Sequence, residues 1–269
     1  SSGGILRDST VSGNATGVIV SSGTGYVEAN LITGNTEAGV RTGSNGTGVI
    51  RGNTVSDSPV GIITGTAFFN WPQFIENNVI FGAEMTRGIE LNRVTGGRVA
   101  NNTIWLEADS AQGIVVEADS SGVELVNNIL SLRDGHGLVV ATDSQEGLVS
   151  DYNRVEPREA AVQFGQWQGR DFATPRAWYY ASGLDFHSRL GNAGFVDGAA
   201  GDFRLAAVSP GVDAGRPRDL FSREPGANGG RVNLGAYGNT ANATESPART
   251  LQVLSPNGFE KVEAGERTE

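Results

Sequence analysis

Six polar residues with the potential for acid–base chemistry recur at equivalent positions of three consecutive repeats near the middle of the chain. They are Arg87, Glu90, Asn92, Gln112, Glu117 and His136. A base next to a group that neutralises a carboxylate can abstract a proton from an acidic sugar. The charged members, one arginine, two glutamates and one histidine, are therefore the candidate catalytic residues, with Arg87 or His136 as the base.

The longest insertion between repeats, residues 66–76, places aromatic side chains beside these polar positions. It contains Phe68, Phe69, Trp71 and Phe74. Aromatic rings offer large apolar faces on which sugar rings can stack. The predicted substrate-binding residues are Phe68, Phe69, Trp71, Asn92 and Gln112.

The candidate residues require no cofactor, but they are compatible with calcium. Calcium prefers carboxylate and amide oxygens, and the donors nearest to one another are Glu90, Asn92, Glu117 and Asp119. Carboxylates on neighbouring repeats can also meet the separation of about 5–9.5 Å that glycosidases use. The sequence contains neither a Gly-rich phosphate loop nor a His-Glu-x-x-His zinc pattern.

Each of these features also has a structural interpretation. A face with Glu, Arg and Asn is often a solvated surface with weak ion pairs. His136 follows Asp134-Gly135 and can be a turn residue, and the aromatic cluster can simply pack over the side of the fold.

The elements that must position these residues are short repeats. A Gly followed by an apolar run begins at Gly17, Gly39, Gly61, Gly88, Gly113 and Gly137, at spacings of 22, 22, 27, 25 and 24 residues. Each repeat holds three short β-type runs, none with the length or the 3.6-residue period of a helix. A fixed period with strand-like content predicts an all-β solenoid with three parallel sheets.

A column of asparagines accompanies the glycines: Asn30, Asn53, Asn78, Asn102 and Asn128. An amide side chain both donates and accepts hydrogen bonds, so stacked asparagines can bond from one repeat to the next. These columns resemble the Asn ladder of right-handed parallel β-helices in the pectin-lyase-like superfamily, over about residues 5–240. In enzymes of that superfamily catalysis lies along the first strand of each coil, which is where the candidate residues fall.

The period breaks after about residue 150. Thr174-Pro175 predicts a helix start and Gly183 its end, and we expect a cap over the last coil within residues 150–240. Asp202-Phe-Arg-Leu, Ser209-Pro-Gly-Val-Asp-Ala-Gly and the run from Asn228 to Gly238 resemble the closing segment of bacterial secreted β-helix repeat proteins.

These observations divide the chain into a β-helix with its cap over residues 1–240 and a linker over residues 241–250. Residues 251–269 begin Leu-Gln-Val-Leu-Ser-Pro-Asn-Gly, which resembles the first strand of an Ig-like module. We expect a truncated Ig-like domain or a disordered tail there. We also expect this chain to be part of a larger protein.

Composition limits the partners. The 30 acidic and 20 basic residues give a formal net charge of −10, which disfavours nucleic acid and anionic membranes because both need a basic surface. Without cysteine there is no disulfide or thiolate metal site. No apolar stretch approaches the ~20 residues of a membrane span. We expect a monomer whose partners are a polysaccharide or other domains of the parent protein.

Two functions remain open. The first is a stiff extracellular or cell-surface module of a bacterial protein, which serves as a scaffold and a carbohydrate-binding platform. The alternative is a polysaccharide-active enzyme, foremost a lyase on an acidic glycan of the pectate or alginate type, and second a glycoside hydrolase. The lysine typical of such lyases and the Tyr-Gly-Phe-Asp-Pro-His motif of alginate epimerases are both absent.

Overall fold

The computed structural model describes residues 4–65, 71–248 and 258–259. Within them the chain forms an all-β parallel solenoid, as predicted, with one short α-helix near its C-terminal end. Successive repeats supply neighbouring parallel strands, so each repeat forms one coil.

The strands of the coils, in chain order, are β1 (Ile5–Arg7), β2 (Thr10–Ser12), β3 (Thr16–Glu28), β4 (Leu31–Thr33), β5 (Ala38–Arg51), β6 (Thr54–Ser56), β7 (Val60–Thr64), β8 (Gln73–Glu76), β9 (Val79–Gly82), β10 (Arg87–Asn92), β11 (Gly97–Ala100), β12 (Thr103–Leu106), β13 (Ala111–Glu117), β14 (Glu124–Val126), β15 (Ile129–Leu132), β16 (Gly135–Val140), β17 (Val149–Asp151), β18 (Arg154–Pro157) and β19 (Gln163–Trp167). After them come β20 (Arg170–Phe172), helix α1 (Pro175–Ser182), β21 (Arg189–Leu190), β22 (Phe195–Asp197), a 3-10 turn (Gly198–Ala200) and β23 (Asp202–Leu205).

The strands stack on three faces of the solenoid. The first strand face carries β7, β10, β13, β16 and β19, the second carries β8, β11, β14 and β17, and the third runs from β2 to β21. The first two faces merge at β3 and β5, which continue around the corner, so the described residues form two parallel sheets rather than the expected three. In later coils the strand ends at this corner, where residues such as Arg93 and Ala118 adopt left-handed φ angles.

The interior consists of stacked aliphatic columns, as predicted from the alternation. Val40, Ile62, Ile89, Ile114 and Leu138 are at most 1% exposed on the first face, and Ile32, Val55, Ile80, Ile104 and Leu130 are fully buried on the third. The repeated glycines have a steric cause, because a Cβ on Gly113 would lie 2.5 Å from the carbonyl oxygen of Gly137.

The predicted asparagine ladder is present. Each ladder residue donates from Nδ2 to Oδ1 of the asparagine in the next coil at 2.9–3.0 Å, and the same Oδ1 accepts the backbone N–H of its predecessor. Asn128 donates to a sixth asparagine, Asn153, which the sequence analysis left out of the ladder. Every Nδ2 of the ladder also donates to a backbone carbonyl of the preceding coil at 2.8–3.0 Å.

Helix α1 covers the C-terminal end of the coils as predicted. Thr174 Oγ1 accepts the backbone N–H of Ala177 at 3.2 Å, and Gly183 ends the helix in the left-handed conformation. The fully buried Trp178 packs edge-on against Phe164, Trp167 and Phe172. Its ring therefore shields the last coil from solvent.

Residues 191–246, the C-terminal segment, do not cap the end of the solenoid as expected but fold back along its side. Phe203 packs on Phe81 and Trp105 of the third face, and Leu205 and Leu234 pack on Ile129. The physical reason is an apolar outer surface on the third face, which needs cover that the coils themselves do not supply.

A second column of asparagines holds this segment. Asn77, Asn101 and Asn127 precede the ladder residues and adopt left-handed φ angles of 52–60°. Asn77 Nδ2 donates to the carbonyls of Ala236 and Gly238 at 3.0 and 2.7 Å, and Asn101 Nδ2 donates to that of Asn233 at 2.9 Å.

The domain boundaries proposed from the sequence stay predictions. Within the expected linker, Ala243 is buried, Thr244 Oγ1 donates to the carbonyl of Leu205, and Ser246 Oγ donates to Asp213. The expected Ig-like strand over residues 251–269 lies outside the described residues except for positions 258–259, where the ring of Phe259 contacts Tyr179.

Candidate functional site

Three adjacent strands of the first face carry the candidate catalytic residues. Parallel pairing of β10, β13 and β16 places Arg87 beside Gln112 and Gln112 beside His136, and it places Asn92 beside Glu117. Neighbouring strands are about 4.8 Å apart, so the predicted polar residues do lie on one surface. His136 is nevertheless two strands away from Arg87.

Arg87 lies between two carboxylates. Its Nη1 is 2.7 Å from Glu90 Oε2 and 3.1 Å from Glu117 Oε1. Asn92 Nδ2 donates to the other oxygen of Glu90 at 2.6 Å. These four residues, the Arg87 cluster, form a connected network, in which the buried Asn92 Oδ1 has no hydrogen-bond partner.

The network fixes the protonation of Arg87. Burial of the guanidinium lowers its pKa, but the hydrogen bonds and charges of Glu90 and Glu117 outweigh that effect, and the pKa is raised above its ordinary value. Arg87 therefore remains a cation, and its predicted role as a base is disfavoured on physical grounds.

The outward positions of the central strands are less exposed to solvent than strand alternation predicts. Glu90 is 6% exposed, Val115 is 0% exposed and Val139 is 8% exposed. Strand alternation places Val115 on the outer side of β13, yet it is fully buried. The catalytic candidate Glu90 is a buried partner of Arg87 rather than a carboxylate facing a groove.

His136 belongs to a separate cluster. Its Nε2 lies 3.0 Å from Asp171 Oδ1, to which Gln166 Nε2 also donates at 2.9 Å. The bond from Gln166, and next that from His136, lower the pKa of Asp171. Strand β20, which carries Asp171, pairs antiparallel with β19 and brings this carboxylate to the face. Sequence analysis missed Asp171 because it lies beyond the last regular repeat.

The aromatic candidates divide between described and undescribed residues. Phe68 and Phe69 lie outside the described residues. Trp71 is 47% exposed. Two residues further on, the buried Gln73 of β8 bonds to β5 of the preceding coil. Its Oε1 accepts the N–H of Gly48, and its Nε2 donates to the carbonyl of Gly46. Phe74 lies on β8 of the second face and not on the first.

Calcium at Glu90, Asn92, Glu117 and Asp119 stays a prediction. In the described part of the chain, no three His, Cys, Asp or Glu side chains lie close enough together to hold a metal ion. A cation here would have to compete with Arg87 for both glutamates.

A further polar region lies where the C-terminal segment meets the last coils. A cavity of about 340 Å³ is lined by Tyr152, Arg154, His187, Arg189, Asp213 and Arg231, among others. The sequence signals for this region are the runs Asp151-Tyr-Asn and Asp185-Phe-His-Ser. Their convergence requires the tertiary fold.

The fold is a β-solenoid of the β-helix class, because its coils are parallel and an asparagine ladder runs through its interior. The charged side chains on its first strand face form ion pairs with one another. A family model described as a right-handed β-helix region matches residues 1–156. The chain belongs to this family of right-handed β-helices. Comparison with curated proteins and with solved structures gives no significant match. Among the described residues no helix is long and apolar enough to cross a membrane.

Proposed function

We propose that this domain is a noncatalytic, stiff module of a larger extracellular or cell-surface protein, which presents its first strand face to a polysaccharide or to neighbouring domains. The observation that carries the proposal is the position of Arg87 between Glu90 and Glu117. A lyase needs a free base beside a group that neutralises the substrate carboxylate. Here the cation is already neutralised by the protein's own carboxylates.

Stiffness follows from the interior. The ladder runs without a gap from Asn30 to Asn153, and breaking one rung leaves buried donors without partners. The outer asparagines then fasten the C-terminal segment along the same axis. Such a domain resists bending and is suited to hold flanking domains apart.

Contact with a saccharide is the second part of the proposal. Trp71 exposes about half of its surface, and the chain that leads to it departs from Gly65, next to Asn92 on β10. An exposed indole can cover the apolar face of a sugar. A neutral glycan fits this surface better than an acidic one, because the Arg87 cluster has one negative charge in excess.

A glycan array and an ultraviolet lyase assay on the full chain test the proposal. We expect no unsaturated product and no new reducing ends from pectate, alginate or neutral glycans. Glycan binding should be lost in Trp71→Ala and retained in Tyr180→Ala, which removes an equally exposed aromatic residue on α1. Equal binding by both variants would place the contact elsewhere.

Catalysis by a polysaccharide lyase is the alternative, and the His136–Asp171 pair favours it. A histidine held by a carboxylate is a usual general base, and the His136 side chain is 20% exposed. Formation of an unsaturated product by the wild type, abolished in His136→Ala and preserved in His187→Ala, would replace the scaffold proposal with this one.

A further inference from the structure

The cavity between the last coils and the C-terminal segment concentrates positive charge in an acidic protein. Its ionisable lining consists of three arginines, Arg154, Arg189 and Arg231, one aspartate, Asp213, and the side chains of Tyr152 and His187. The whole chain has a net charge of −10. Three guanidinium groups against one carboxylate are therefore a local reversal of the overall charge.

Within the described residues, two of these arginines donate hydrogen bonds only to uncharged acceptors. Arg154 is 8% exposed, its Nη1 donates to the carbonyls of Gly191 and Asn192 at 3.3 and 3.2 Å, and its Nε has no hydrogen-bond partner. Arg231 donates from Nε and Nη2 to the carbonyl of Gly215. Burial lowers the pKa of both side chains and outweighs the opposing effect of Glu156 on Arg154 and of Tyr152 and Asp213 on Arg231.

Each nearby carboxylate has at least one oxygen that accepts from another donor, whereas Glu156 Oε2 and Asp213 Oδ2 have no hydrogen-bond partner. Asp151 accepts from His187 Nδ1 at 2.7 Å and from its backbone N–H at 2.6 Å. Glu156 attracts Arg154, but its Oε1 accepts the N–H of Ala193. Asp213 Oδ1 accepts from Ser246, and burial raises the pKa of Asp213 against the lowering effects of that bond and of Arg231.

Aromatic and apolar side chains form the walls of the cavity. The rings of Tyr152 and His187 stack with centroids 4.5 Å apart and planes inclined by 14°, and the Arg231 guanidinium lies 5.7 Å from the centre of the Tyr152 ring. Leu190, Pro210 and Leu234 add apolar surface. At about 340 Å³ the volume is at the low end for ligand pockets, which suits a ligand the size of one sugar ring or smaller.

We propose that this cavity is a binding site for a small oxyanion, with the carboxylate of an acidic sugar or a phosphate group held by Arg189 and Arg231 above the buried charge of Arg154. Arginine matches planar carboxylate and phosphate oxygens through paired N–H donors. An anion would give the guanidinium groups charged oxygen acceptors in a partly desolvated site, where a charge interaction is stronger than in water. The site lies between the last coils and the C-terminal segment, and none of its lining residues belongs to the strands of the first face.

Titration calorimetry on the full chain with D-galacturonate, D-galactose and inorganic phosphate tests the proposal. We expect galacturonate or phosphate to bind and galactose not to bind, with affinity falling as salt is added. Arg189→Gln and Arg231→Gln should each weaken anion binding at least tenfold. Arg204→Gln, which removes one exposed charge outside the cavity, should have no effect.

The arms of the experiment separate the outcomes. Binding of galacturonate alone identifies an acidic sugar, and binding of phosphate alone identifies a phosphate ligand. If Arg231→Gln fails to fold, Arg189→Gln decides the matter. Equal binding of galactose, unchanged binding in Arg189→Gln, or no anion binding at millimolar concentration overturns the proposal. Trp71→Ala should leave this binding unchanged, which distinguishes it from glycan contact at the first face.

Discussion

Asn153, the last rung of the asparagine ladder, donates from Nδ2 to Oδ1 of Asp185 at 3.2 Å. The same Oδ1 accepts from Ser150 and Ser188, and Oδ2 accepts from Trp178 Nε1 at 2.9 Å. Asp185 therefore joins the ladder to the ring that covers the end of the solenoid. Ser188 Oγ accepts the backbone N–H of Asn153 at 2.8 Å, so this serine and the buried carboxylate together replace the next asparagine of the ladder.

The burial of Asp185 makes stability depend on pH. Desolvation raises its pKa from 3.8 to about 6, against the lowering effect of its hydrogen-bond donors. Between these values the folded state holds the proton more tightly than the unfolded state, so the contribution to stability is full at acid pH and is lost as the pH rises through this window. A shift of this size corresponds to about 3 kcal/mol.

We therefore expect the difference in unfolding free energy between the wild type and Asp185→Asn to fall by roughly this amount from pH 4 to pH 7. Urea unfolding at both pH values measures it. Asp109→Asn, at a highly exposed carboxylate, is the control. A difference that is independent of pH would show that Asp185 does not titrate in this range.

Replacing Asn102 by Leu should destabilise the ladder. Asn102 Oδ1 accepts both the backbone N–H and Nδ2 of Asn78 at 3.0 Å, and a leucine leaves that buried backbone donor unpaired. The expected cost is about 1–3 kcal/mol, measured by chemical unfolding. Asn242→Leu, at an exposed position, should change stability little. Identical unfolding midpoints for the two variants would argue against a stabilising ladder.

Replacing Asn77 by Gly should loosen the C-terminal segment and leave the coils intact. Glycine tolerates the φ of 56° at this position, so only the bonds to the carbonyls of Ala236 and Gly238 are removed. Hydrogen exchange should increase over residues 231–240 and not over the ladder. Ala118→Gly, at a turn with the same φ of 56°, is the matched control.

The extent of the stable domain can be measured by truncation. A chain ending at Ala248 should keep the solenoid folded, because the ladder and α1 lie before that point. A chain ending at Asn239 loses Ala243, Thr244 and Ser246 and should melt at a lower temperature. Equal melting temperatures would mean that residues 241–248 add nothing to stability, as a linker would.

The sequence by itself determined the coils. The period of the glycines and asparagines reports contacts between equivalent positions of adjacent repeats, so the inner columns and the first five ladder rungs were readable without coordinates. The helix was equally local, since Thr174, Pro175 and Gly183 act on their own turn. The spacing of 25 residues from Asn128 to Asn153 was a usable signal for the sixth rung.

Only the tertiary structure decided how the outward residues are used. Asn77 and Asn78 are adjacent and identical in type, yet one docks a segment about 160 residues away and the other bonds within the ladder. Arg87 was a candidate base from its position, but its pairing with Glu90 and Glu117 depends on side chains of two different coils. The cavity with Arg154 and Arg231 joins residues far apart in the chain. Such contacts have no period, because they depend on how one irregular segment folds back on a regular one.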